Sequence, residues 1–140
     1  MTTSFAPPAP ASFVVGAREQ LAGLHDVLWA ARSAREKLDV VVELERFKSQ
    51  MAAIEAELVA DVDASKAAAE DQWGSAGDYL TAISGGFNGS GAGTIRLAKA
   101  LTGDRTLTLD ALRAAAISRA QAQVIVTTID ALPGGVRWSV

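Results

Sequence analysis

VVVELERFKSQMAAIEAELVADVDAS, residues Val40 to Ser65, decides the fold. Apolar side chains recur at Val40, Leu44, Phe47, Met51, Ile54 and Leu58, with spacings that alternate between four and three. That is the heptad seam of an amphipathic helix. The pattern predicts one long helix that continues through VADVDASKAAAEDQ, about thirty residues in all. The seam Leu44, Phe47, Met51, Ile54 and Leu58 is expected to be buried, either inside the domain or against another copy through residues 40–62. Met51→Asp should then destabilise the protein, because a buried charge without a partner is costly.

The same helix carries Glu43, Glu45, Arg46, Lys48, Glu55, Glu57, Asp61 and Asp63. Glu55 and Glu57 are two apart and point to different sides of a helix, so they do not form a paired-carboxylate site. A bridging carboxylate metal centre would also want a Glu-x-x-His pair, which this sequence lacks. The carboxylates therefore read as a solvated outer face, with no metal and no cofactor.

Upstream, residues 1–12 (MTTSFAPPAPAS) read as a proline-rich disordered arm, lacking the basic and continuous apolar regions of a secretory signal. A first helix is expected from about Ala17 to Arg32, with Leu21, Leu24, Leu28 and Trp29 as its apolar stripe and His25 beside it. The chain of 140 residues fits a single helical domain over 13–133, followed by a tail, 134–140. Apolar residues make up 49% and charged residues 21%, a globular composition in which abundant alanine favours helices. With 0 cysteines, thiolate nucleophiles and cysteine-ligated metals are excluded. No apolar run is long enough to span a membrane, and the expectation is a soluble, cytoplasmic protein.

Downstream, Ser75 and Asp78 resemble a capping box opening a short helix with Tyr79, Leu80 and Ile83 on its apolar side. SGGFNGSGAG, Ser84 to Gly93, then places five glycines in ten residues. It has no Gly-Lys-Ser/Thr ending and no preceding strand, and a G-x-G-x-x-G register from Gly89 would need glycine at Thr94, so it fails as a nucleotide loop. It reads as a helix–helix connection capped by Ser90 and leading into GTIRLAKAL, with Ile95, Ala98 and Leu101 inward and Arg96 and Lys99 outward.

Thr108 is expected to cap a short helix. Ser118 and Gln121 form a capping box opening RAQAQVIVTTIDAL. Two helices thus meet at a helix-turn-helix-like corner in ALRAAAISRAQAQVIVTTIDALP, Ala111 to Pro133. The second is apolar almost all round, with few groups for base edges and Asp130 repelling phosphate at its end, so a core helix is the stronger reading than a recognition helix. The expected fold class is all-α, a helical bundle with one long heptad-patterned helix and this corner.

Catalytic motifs are missing. His25 is the sole histidine, it lies in a helical context, and Gly89-Ser90-Gly91 is not a nucleophile elbow. Trp29, Trp73 and Trp138 read as packing residues rather than a stacking platform for bases.

The charge divides along the chain. Residues 1–90 hold 7 Lys and Arg against 13 Asp and Glu, net -6, while residues 91–140 hold 6 against 3, net +3. Either the two parts attract each other, or the basic part faces an anionic partner.

From about Glu43 to Pro133 the sequence resembles the actinobacterial 13E12 repeat family, a domain of unknown function commonly found in front of an HNH endonuclease module. The resemblance rests on ELERFKSQMAAIEAELVADVDAS, SAGDYLTAI and IRLAKALT, and most specifically on the corner ALRAAAISRAQAQVIVTTIDALP. It implies a non-catalytic, DNA-associated accessory domain or a truncated member. Any DNA contact would run through phosphates, with Arg96, Lys99, Arg113 and Arg119 as candidates. The alternative is a helical protein–protein interaction or oligomerisation module, which the heptad seam favours. Relatives usually carry glycine at the corner where Ala115 stands. The histidine base and metal ligands of an HNH module have no counterpart here, since His25 and Asn88 lie far apart, and the chain is expected not to be an enzyme.

Overall fold

The computed structural model describes residues 9–87 and 89–133, so the tail 134–140 and most of the expected arm lie outside the described residues. Six α-helices and three short 3-10 turns make up its regular structure, and no strand occurs among the described residues. The all-α expectation is met.

The chain divides into two compact units, Met1–Asp39 and Val40–Val140. In the first, α1 (Pro10–Ala22) begins inside the stretch expected to be a disordered arm. Pro10 suits the first helical turn, where its preset φ helps and its missing N–H costs nothing. The helix expected over Ala17–Arg32 does not form in one piece. It gives way at Gly23, a poor helix former, to the 3-10 turns Gly23–Asp26 and Trp29–Ala31. None of residues 9–39 is buried, and Phe13, Val14 and Leu28 are exposed.

Helix α2 (Ala34–Ser65) has 32 residues, close to the expected length, but it begins before Val40 and stops short of the expected continuation through KAAAEDQ. It starts earlier than the heptad pattern because the Ser33 hydroxyl accepts a hydrogen bond from the Glu36 N–H at 3.1 Å, satisfying one of the helix's free donors. It ends where Lys66 turns left-handed at φ 58°. Its buried positions are Ser49, Ala53, Ala56 and Val59. This removes the first alternative of the seam expectation, burial inside the domain, and leaves the second. Leu44, Met51, Ile54 and Leu58 are 38%, 45%, 62% and 60% exposed, and Phe47 is half-buried. Each residue advances about 100° around a helix, so Ser49 and Ala56 lie on the side opposite Phe47, Met51, Ile54 and Leu58. The helix therefore buries a column of small side chains and turns its large ones outward.

The column joins a core formed by Ile95, Leu97, Ala98 and Leu101 of α4 (Ser90–Thr102), Leu109 and Leu112 of α5 (Thr106–Arg113), and Ala122 and Val126 of α6 (Arg119–Asp130). Leu101 and Leu112 are its largest fully buried side chains.

Helix α3 (Ala76–Ser84), capped by Ser75 as expected, crosses α4 at a contact made of small residues. A Cβ on Gly91 would collide with the Gly77 carbonyl oxygen. The Thr81 hydroxyl donates to that same Gly77 carbonyl at 2.9 Å and accepts from the Gly91 N–H at 2.9 Å, fastening the crossing. The glycine-rich stretch thus serves close helix approach. Ser90 is not the cap. Gly89 occupies that position at φ 86°, Ser90 is the first helical residue with its hydroxyl buried, and Thr81 supplies the capping oxygen from the neighbouring helix. Thr108 likewise lies inside α5, buried, because that helix begins at Thr106.

Gly91→Ala should destabilise by about 1–3 kcal/mol, as overpacking does. Gly93→Ala, in the same helix with open space around its Cβ, should stabilise by roughly 0.5–1 kcal/mol. Urea unfolding of the two variants checks this. Equal effects would remove the close crossing as an explanation of the glycines.

Candidate interaction surface

The outward stripe of α2 is the largest unexplained feature of the second unit. Leu44, Met51, Ile54 and Leu58 repeat at heptad spacing along three turns and more, so they form one continuous line rather than scattered apolar residues. Charged residues border it. Arg46 pairs with Glu43 and Lys48 with Glu45, both within the helix at 2.6 Å, and all four side chains are well exposed.

Two ion pairs to other helices accompany the rotation of α2 that exposes the stripe. Lys99 of α4 reaches Asp63 at 2.9 Å, and Arg113 of α5 pairs with Glu57. Two of the carboxylates expected to form a solvated face are therefore tied to the bundle. The hydrogen bond from the Lys99 ammonium holds the Asp63 carboxyl below the usual carboxylate range, against an opposing effect of burial. Because the folded pKa is the lower one, this contribution to stability is present above the unfolded carboxylate value of about 3.9 and is lost as pH falls through the folded pKa.

These pairs also engage two of the four cations singled out for phosphate contact. Arg113 additionally approaches Asp110 at 3.6 Å. Arg96 on α4 and Arg119 at the start of α6 are exposed, and no ion pair involves them among the described residues. The structure places the four on three helices rather than along a single groove-facing helix.

The corner between α5 and α6 forms as the sequence predicts. Ser118 accepts from the Gln121 N–H at 3.1 Å, and the Gln121 side chain accepts from the Ser118 N–H at 2.8 Å, a complete capping box. On the α5 side the Ala116 N–H bonds to the Ala111 carbonyl and the Ala115 N–H to the Leu112 carbonyl, the paired bonds of a Schellman motif. Ala115 takes the left-handed position of that motif at φ 59°, where glycine is the usual occupant. Between the corner and α2 lies an open groove of about 310 Å³, lined largely by Val41, Val42, Ala115, Ala116 and Ile117. Glu45, Arg46, Ser49, Ser118 and Gln121 complete its wall, and the Gln121 side chain is already committed to the cap.

One strong determinant escaped sequence reading. Arg105, 7% exposed, donates to Asp130 at 2.9 Å and ties the start of α5 to the end of α6. Asp130 is thus a structural partner. Only the long separation of the two residues hid the pair, since no local spacing rule reaches across 25 positions. His25 is exposed in a 3-10 turn. Among the described residues no three or more His, Asp or Glu side chains gather as a metal site, and no helix is long and apolar enough to cross a membrane.

Compared with protein-family models, curated proteins and solved structures, the chain finds no match in any of the three.

Ala115→Gly should stabilise the fold by about 1 kcal/mol, the cost of holding alanine in a left-handed conformation. A denaturation midpoint that is unchanged or lower would contradict the strain assigned to the corner. For the ion pair, Lys99→Met should raise the Asp63 carboxyl titration midpoint, read by NMR, and its stability deficit should shrink as pH drops below about 4.

Proposed function

We propose that this chain is a non-catalytic helical interaction module that self-associates through the outer stripe of α2. The carrying observation is the division of that helix: small side chains fill the core while Leu44, Met51, Ile54 and Leu58 face outward at heptad spacing. A helix whose large apolar residues served only its own domain would bury them and expose the alanines. Heptad spacing in particular suits a second helix, because knobs and holes repeat with that period.

The magnitudes are compatible with a reversible contact. Fully burying an aliphatic side chain contributes about 1.5–3 kcal/mol, and these begin roughly half exposed. Eight of them, four from each chain, contribute about 6–12 kcal/mol, against an association cost of about 4–15 kcal/mol. A micromolar or weaker contact follows.

A second reading is the DNA-associated accessory domain. Its support is the exposed pair Arg96 and Arg119, together with the resemblance to the 13E12 repeat family, whose usual corner glycine would suit the left-handed position that Ala115 occupies. It ranks lower because Lys99 and Arg113 already face carboxylates of the same chain.

Sedimentation velocity over a wide concentration range tests the main reading. The wild type should gain mass as concentration rises. Ile54→Lys combined with Leu58→Lys should remain monomeric with an unchanged helical spectrum and urea midpoint. A wild type that stays monomeric throughout would overturn self-association. A double variant weakened by several kcal/mol would show instead that the stripe belongs to the core. Added duplex DNA at low salt supplies the contrast, since co-sedimentation lost with Arg96→Glu and Arg119→Glu would shift support to the second reading.

A further inference from the structure

Resting on the reading of the stripe as a self-contact, we infer that the partner is the same helix of a second copy, aligned parallel and in register. The heptad places Leu44, Met51 and Leu58 at the a positions, and Val40, Phe47 and Ile54 at the d positions. Glu43, Gln50 and Glu57 then fall at g, and Val41, Lys48 and Glu55 at e. These flanking residues select the orientation.

In a parallel pair each g residue meets the e residue five positions on in the other chain. Glu43 then faces Lys48 of the second copy, and by symmetry the contact occurs twice, while Gln50 faces Glu55 without conflict. In an antiparallel pair that matches every apolar layer, Leu44 stands opposite Ile54. Glu43 then meets Glu57, itself already paired with Arg113 of its own chain, twice along one edge, and Lys48 meets its own copy on the other. Like charges at such positions are unfavourable. The charges favour the parallel pair.

Two features of the structure leave the way open. Ser49 and Ala56, at the f positions directly behind the seam, are among the residues that α2 buries, with Ala53 and Val59, so the buried face of the helix points away from the incoming one. The present partners of Glu43 and Lys48 are Arg46 and Glu45 in exposed pairs within one helix, which contribute little and exchange readily.

The absence of cysteine allows a direct test. Leu44→Cys and Leu58→Cys are prepared singly in the full chain and oxidised mildly, with Glu45→Cys as a control for random collision. The two seam positions lie about 21 Å apart along the helix, so only a parallel, in-register pair links each variant to itself. Both should give covalent dimers well above the control. Links that form only when Leu44→Cys is mixed with Ile54→Cys would overturn the parallel register while leaving the stripe as the contact surface. No link in any combination, with a monomeric wild type in the ultracentrifuge, would remove both claims. Independently, Lys48→Glu should weaken association several-fold by placing carboxylates opposite Glu43, and Glu43→Lys in the same chain should restore it. Absence of that rescue would also overturn the parallel arrangement.

Discussion

The rotation of α2 about its axis is the constraint on which the rest depends, because it sets which line of the helix the core covers. Ser49, Ala53, Ala56 and Val59 provide that line. On the same helix Asp63 pairs with Lys99 of α4 and Glu57 with Arg113 of α5. Once the rotation is set, Leu44, Met51, Ile54 and Leu58 have only the outside available to them. The tight contact of the bundle lies elsewhere, where Gly77 and Gly91 let α3 and α4 cross with the Thr81 hydroxyl between them.

Local rules were legible in the sequence wherever the physics is local. The Ser75 cap, the capping box at Ser118 and the long helix each rest on interactions within a few residues, and each is present, though at Ser75 only the bond from the Asp78 N–H forms. The corner is a good example: two backbone bonds and a reciprocal cap build it from eleven consecutive residues, Ala111 to Gln121. Even its strain was foreseeable, since a Schellman ending asks for glycine and Ala115 stands there.

What was not legible depends on choices between faces and on partners distant in sequence. Large apolar residues dominate any hydropathy pattern, so the heptad stripe outweighed the quieter column of alanines that forms the true inner face. Ser90 and Thr108 fit cap chemistry, yet the helices start one and three residues away from where a cap at those positions would put them, once Gly89 and Arg105 take the role. The pair between buried Arg105 and exposed Asp130, and the ion pairs from Lys99 and Arg113 that engage half of the phosphate-contact candidates, required the tertiary fold.

The most direct test of the central claim uses Met51, one of 2 methionines in the chain and a member of the stripe. Its oxidation by dilute peroxide, followed by mass spectrometry, reports exposure of the outer face at each protein concentration. Rapid oxidation in dilute solution, slowing progressively as the protein is concentrated, is the result that an outward stripe closed by self-association requires. A rate that is slow even at the lowest concentration would place Met51 in the core of its own chain. One that stays fast at all concentrations would leave the stripe without the partner helix on which the account rests.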